Sequence, residues 1–154
     1  MKKSLLVFLL IVLSINLIFT FEKNKEERKM KLNAGIITNK LAETKKFYVQ
    51  KLGFEITFES EWFLLLNTPG GECSIAFMLP KHPTQKPIFQ SEFGGKGVFI
   101  TIEVANVDAE YEKVKKLGIP IEVEIRDEEW GDRHFAVVDP NGIGVDFVTN
   151  KLYD

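Results

Sequence analysis

Residues 39–54, NKLAETKKFYVQKLGF, and residues 103–121, EVANVDAEYEKVKKLGIPI, decide how this chain is read. In the first, Leu41, Phe47, Tyr48 and Leu52 fall near helical spacing. Asn39 is placed to cap the helix and Gly53 to stop it. In the second, Asn106 is the cap, Val107, Tyr111, Val114 and Leu117 are the apolar face, and Gly118 is the stop. The Lys51-Leu52-Gly53 landmark thus returns as Lys116-Leu117-Gly118.

Working outward, each helix is flanked by strand patterns in the same order. Leu32–Thr38 precedes the first helix. Phe54, Ile56 and Phe58 then alternate with charged or polar residues, and Trp62–Leu66 and Cys73–Leu79 follow. In the second unit Val98–Val104 precedes the helix, and Ile119–Ile125, His134–Val138 and Ile143–Thr149 follow it. Pro69-Gly70-Gly71 and Pro140-Asn141-Gly142 mark matching turns. The pattern predicts an α+β domain of two βαβββ modules, forming one curved mixed sheet around a cleft.

Residues 1–29 stand apart. Lys2 and Lys3 precede the uncharged run 5–21, and residues 22–29 are nearly all charged. This is the layout of a signal peptide or N-terminal membrane anchor with a charged linker. It implies export, or anchoring on the outer side of the cytoplasmic membrane, with membrane contact through this segment if it is uncleaved. Translation starting at Met30 would instead leave the domain, residues 30–154, cytoplasmic. The whole chain of 154 residues has net charge −2. Residues 1–29 hold six basic and three acidic residues, so the rest carries 14 against 19, net −5. That balance, without a basic run, argues against nucleic acid as a partner. The single cysteine, Cys73, excludes an intramolecular disulfide and is expected to be a small buried strand residue.

The segments 39–54, 103–121 and 128–148 (EEWGDRHFAVVDPNGIGVDFV) resemble the vicinal oxygen chelate superfamily, which includes glyoxalase I, bleomycin-resistance proteins and extradiol dioxygenases. The resemblance spans about residues 31–150. It implies a homodimer with the cleft near its interface. Metal-binding members place His, Gln or Glu on the first and last strand of each module, and carrying those positions over gives Asn33, Ile75, Phe99 and Asp146. Asp146 alone is a good ligand, and a catalytic metal usually keeps three. No resident metal or other cofactor is therefore expected.

With these positions taken as inward, Asn33, Gly35 and Ile37 form one wall of the cleft, and Cys73, Ile75 and Phe77 a second. Phe99, Thr101 and Glu103 form a third, and Gly144, Asp146 and Val148 a fourth. His134 joins them if it shares a face with Ala136 and Val138. His82, in a Pro-flanked loop, is expected in solvent. Trp130 could stack on a flat ligand, and Arg133 could pair with a ligand anion or with the acidic run 127–132. Pro80–Lys96 is a long connection, either a lid or an ordered linker with Phe89 and Phe93 packed on the sheet. The candidate binding residues are thus Asn33, Ile75, Phe77, Phe99, Thr101, Glu103, Trp130, Arg133, His134 and Asp146, with no catalytic residue. Their apolar character favours a metal-free module that binds or sequesters a small aromatic or hydrophobic molecule. The alternatives are a lyase, isomerase or dioxygenase with an atypical metal set built on Asp146, Asn33 and His134, and an envelope-tethered interaction domain.

Overall fold

The computed structural model describes residues 31–71 and 73–150; the N-terminal apolar segment lies outside the described residues. The order is β1 (Asn33–Ile37), α1 (Leu41–Lys45, continued by a π-helical turn Lys46–Lys51), β2 (Glu55–Glu59), β3 (Phe63–Asn67) and β4 (Ser74–Met78). The second module repeats it with β5 (Phe99–Glu103), α2 (Val107–Lys116), β6 (Ile121–Asp127), β7 (Asp132–Val138) and β8 (Gly144–Asn150). The α+β class and the two βαβββ modules are as expected.

The strands form two four-stranded sheets, β1-β4-β3-β2 and β5-β8-β7-β6, rather than one continuous curved sheet. In each, the first strand pairs in parallel with the last, and the other pairings are antiparallel. β1 and β5 end the two sheets, because the modules join through their helix-bearing faces and not edge to edge. One hydrophobic core spans both modules. Leu64, Leu66, Ile75 and Phe77 enter it from the first sheet, and Phe135, Val137, Val145 and Phe147 from the second. Aromatic rings fill much of it: Tyr48 lies 5.1 Å from Phe77 between ring centres, and Phe135 stacks on Phe147 at 4.9 Å.

The helices follow their sequence signals with one exception. Ala109 N–H donates to Asn106 Oδ1 at 3.0 Å, the expected cap of α2. Asn39 does not cap α1. Its amide nitrogen donates to Glu92 at 2.7 Å, and the preceding Thr38 hydroxyl accepts from Lys40 N–H at 3.0 Å instead. Gly53 and Gly118 end their helices at φ +78° and +67°, a conformation that disfavours any side chain. Within the π-helical turn Phe47 and Tyr48 are adjacent and both buried.

Three local expectations change. Cys73 precedes β4 and is exposed, because the strand begins at Ser74. His82 is not simply solvated: it stacks on Trp62 with ring centres 3.9 Å apart. The 80–96 connection is an ordered linker, with a short 3₁₀ turn at Pro87–Phe89. Its Phe93 packs on the core and donates its N–H to Ile37 O at 2.8 Å, whereas Phe89 stays half exposed.

The modules are tied at the C-terminal end of β1. Asp139, in the β7–β8 turn, is only 4% exposed. Its Oδ1 accepts from Asn141 N–H (2.8 Å) and Ile143 N–H (2.9 Å). Its Oδ2 accepts from Asn141 Nδ2 (2.9 Å) and, across the module boundary, from Tyr48 Oη–H (3.1 Å). Thr38 Oγ1 donates to Asn141 Oδ1 (2.6 Å), Asn141 Nδ2 donates to Thr44 Oγ1 (3.1 Å), and Lys40 Nζ donates to Pro140 O (2.7 Å). Burial first, and the Asp139 carboxylate second, push the Tyr48 phenol well above its ordinary pKa.

Tyr48→Phe should destabilise by about 1–2 kcal/mol, since Asp139 keeps three other donors. Asp139→Ala should cost more, because it strips several buried donors of their acceptor at roughly 1–3 kcal/mol each. The raised Tyr48 pKa adds stability that is complete below the unfolded value near 10 and is lost as pH rises above it. Thermal melts at pH 7 and pH 10.5 check both points. The order of the two variants should hold, and Tyr48→Phe should lose less on going to pH 10.5 than the wild type.

Candidate functional site

Register sorts the strand residues into two faces. In the first sheet Asn33, Gly35 and Ile37 lie beside Ser74, Ala76 and Met78. Ile75 and Phe77 therefore project from the opposite face, into the core, at 7% and 0% exposure. Expecting them beside Asn33 was an error of one residue in register, and one residue reverses the face. In the second sheet Phe99, Thr101 and Glu103 align with Gly144, Asp146 and Val148, and these with Val138, Ala136 and His134. All nine share the face turned away from the helices. The alternation expected for the second module is the one observed, on the face assigned to the cleft from sequence.

On that face His134 bridges two carboxylates. Its Nδ1 lies 2.7 Å from Asp146 Oδ1, and its Nε2 lies 3.0 Å from Glu128 Oε1. Glu128 Oε1 also accepts from Arg126 Nε at 2.6 Å. Partial burial pulls the imidazole pKa down, but the hydrogen bonds and charges of Asp146 and Glu128 outweigh it, so His134 titrates above its ordinary value. The His134 hydrogen bond leads in holding Glu128 below the usual carboxylate range, with Arg126 adding to it against desolvation. Two carboxylates facing the two ring nitrogens suit the protonated ring, which can donate from both. Glu128 was not singled out by sequence, since nothing distinguishes it from Glu129 until the β6–β7 hairpin folds it over the sheet.

The remaining candidates divide. Phe99 is 74% exposed on the cleft face, and Thr101 and Glu103 are exposed beside it. Asn33 is exposed on the other sheet. Trp130 is exposed at the hairpin tip, its indole N–H donating to Asp132 Oδ2 at 2.9 Å. Arg133 points to the helix side. Its Nε and Nη2 donate to the Asp108 carboxylate (2.9 and 2.7 Å) and its Nη1 to Asp127 (3.0 Å). It is thus an internal ion pair, as the acidic run suggested, with α2 supplying an acceptor that sequence spacing did not reveal.

The donor set does not fit a resident metal. The carried-over positions hold an amide, two apolar side chains and Asp146. Of these, Ile75 faces the core, and Asp146 is engaged by His134. Asp146 and Glu128 sit on opposite nitrogens of one ring, so the three groups diverge instead of converging on a point. Among the described residues no group of three or more His, Cys, Asp and Glu is placed to hold a metal ion.

A cavity of about 870 Å³ opens at the N-terminal end of β1, between the helix-side faces of the two modules. Tyr48, Phe54, Ile75, Ile100, Ile102 and Phe147 line its interior, and Cys73, Glu103, Glu110 and Lys113 are also at its wall.

The raised His134 pKa has a sign that can be tested. Its stabilising effect is complete below the unfolded value near 6.5 and fades as pH rises through the folded value. The stability gap between wild type and His134→Gln should therefore shrink from pH 6 to pH 9 in denaturant titrations. A gap that grows over that range would overturn the imidazolium assignment.

With this geometry in place, comparison with known proteins is direct. Among solved structures, a lactoylglutathione lyase from Agrobacterium tumefaciens superposes with TM-score 0.67 at 19% identity, covering 82% of this chain and 96% of that one. An antibiotic binding protein from a Streptomyces species gives TM-score 0.62 at 17% identity over 79% and 96%. A bleomycin resistance determinant encoded on a transposon gives 0.59 at 21% identity over 80% and 99%. These likenesses show the fold. An uncharacterized protein of Mycobacterium bovis is 33% identical over 57 residues, which span 37% of this chain and 38% of that relative's length. The sequence profile of the Glyoxalase/Bleomycin resistance protein/Dioxygenase superfamily matches residues 32–147, and the chain belongs to that superfamily.

Proposed function

We propose that this domain binds a small aromatic or hydrophobic molecule on its cleft face, sequestering it without metal-dependent turnover. One observation carries the reading. The one good ligand among the carried-over positions, Asp146, lies 2.7 Å from His134 Nδ1, while the aromatic Phe99 is 74% exposed on the same face. A face of that kind offers stacking and apolar contact, with few polar groups to fix orientation, as small-molecule sites do. The likeness to an antibiotic binding protein and to a bleomycin resistance determinant agrees with it.

The reading includes a homodimer. The cleft faces leave Phe58 (55% exposed), Phe99 and Val138 (42%) uncovered in a single chain. A second copy laid over these faces would bury them and close the cleft. Residues 1–29 add the proposal that the domain works outside the cytoplasm, which cell fractionation with an antibody to the domain can test.

Thermal unfolding with chelator, then Zn²⁺, Mn²⁺, Fe²⁺ and Ni²⁺, should show no metal-specific stabilisation. A bound aromatic ligand at about 100 times its dissociation constant should stabilise by about 2.7 kcal/mol. A clear shift with one metal, abolished in Asp146→Ala, would reverse the reading in favour of a metal-dependent lyase, isomerase or dioxygenase. Phe99→Asp should weaken an aromatic ligand at least tenfold and shift dimer to monomer in light scattering. A wild-type chain that is monomeric at micromolar concentration would remove the dimer from the proposal.

A further inference from the structure

The cavity between the modules opens on their helix-side faces and shares Ser74, Thr101 and Glu103 with the cleft face. Cross-module hydrogen bonds close the modules together at the C-terminal end of β1, through Asp139 and Asn141. At the N-terminal end of β1 the helix-side faces part and leave about 870 Å³. That volume lies within the roughly 300–1,000 Å³ of small-molecule sites.

The lining defines what fits. Ile75, Ile100, Ile102 and Phe147 supply the walls, with Phe54 and the Tyr48 ring. The Tyr48 hydroxyl is already committed to Asp139. Of the charged groups at the wall, Lys113 and Glu110 pair with each other at 2.8 Å. An exposed Glu103 carboxylate on the β5 edge would disfavour an anion. A charged ligand group entering this site would lose hydration without gaining a buried partner, which is expensive.

We propose that this cavity is a second binding site, taking an uncharged, predominantly apolar molecule. The site is built from both modules, so occupancy would add contacts across their junction. Cys73, exposed and at the cavity wall, reports on it: a molecule seated there covers the thiol.

The probe is Nile red, uncharged and fluorescent in apolar surroundings, titrated into the full chain. Saturable binding is expected, at least tenfold weaker in Ile102→Trp, which fills the cavity, and unchanged in Ile88→Ser on the 80–96 linker, outside both sites. Saturating probe should slow modification of Cys73 by a thiol reagent at least fivefold. No saturable binding, equal binding by Ile102→Trp, or unprotected Cys73 each overturns the proposal. If Ile102→Trp does not fold, protection of Cys73 in the wild type decides alone. Binding lost in Phe99→Ser with Cys73 unprotected would place the probe on the cleft, leaving the cleft reading intact while this site fails.

Discussion

The buried carboxylate of Asp139 is the constraint around which the two modules are arranged. A charge removed from water needs several donors to be tolerated. Two come from the backbone of its own turn and one from Asn141, and these order the β7–β8 turn. The fourth is the Tyr48 hydroxyl, from the helix of the other module. That hydrogen bond draws the first helix to the second module's turn and brings Thr38, Lys40 and Thr44 within reach of Pro140 and Asn141. The shared core follows from the same approach, because the helix-side faces are the ones brought together. The cavity follows as well, since a junction closed at one end of β1 is free to part at the other.

Joining through the helix sides has a second consequence. Each sheet has one face in the core, and among the described residues Phe99 and Phe58 on the opposite faces stay exposed. The position carried over from the resemblance on the last strand holds Asp146, which is engaged by a neighbouring side chain. His134, two strand positions removed on the neighbouring strand, spends both ring nitrogens on carboxylates. A fold similar to that of a lactoylglutathione lyase and of an antibiotic binding protein here carries aromatic and hydrogen-bonding groups on the face of Phe99 and His134. Function in such a superfamily is decided by the site and not by the fold.

Much of this was legible in sequence. The two helices, their Gly53 and Gly118 stops and the Asn106 cap were readable because each is a local requirement of backbone geometry. The duplication was readable because both copies repeat those requirements in order. The grouping of Phe99, Thr101, Glu103, Asp146 and His134 on one face followed from taking the positions carried over from the superfamily as inward and alternating along each strand from them. The same reasoning misplaced Ile75 and Phe77, because alternation within one strand does not say which residue lies beside which on the next. That register is set by the turn and by what the core will accept.

The sequence by itself determined the element order, the α+β class and the turn at residues 139–142. These depend on residue type and short-range spacing, which the chain carries whatever its tertiary packing. Only the tertiary structure decided that the turn's aspartate ties the two modules, that Glu128 closes on His134, that Arg133 is taken up by Asp108, and that a cavity lies between the modules. Each of those joins groups from separate elements, some of them about 90 residues apart. A buried charge or ring takes whichever partner the folded chain brings within hydrogen-bonding distance, and separation in sequence does not name that partner.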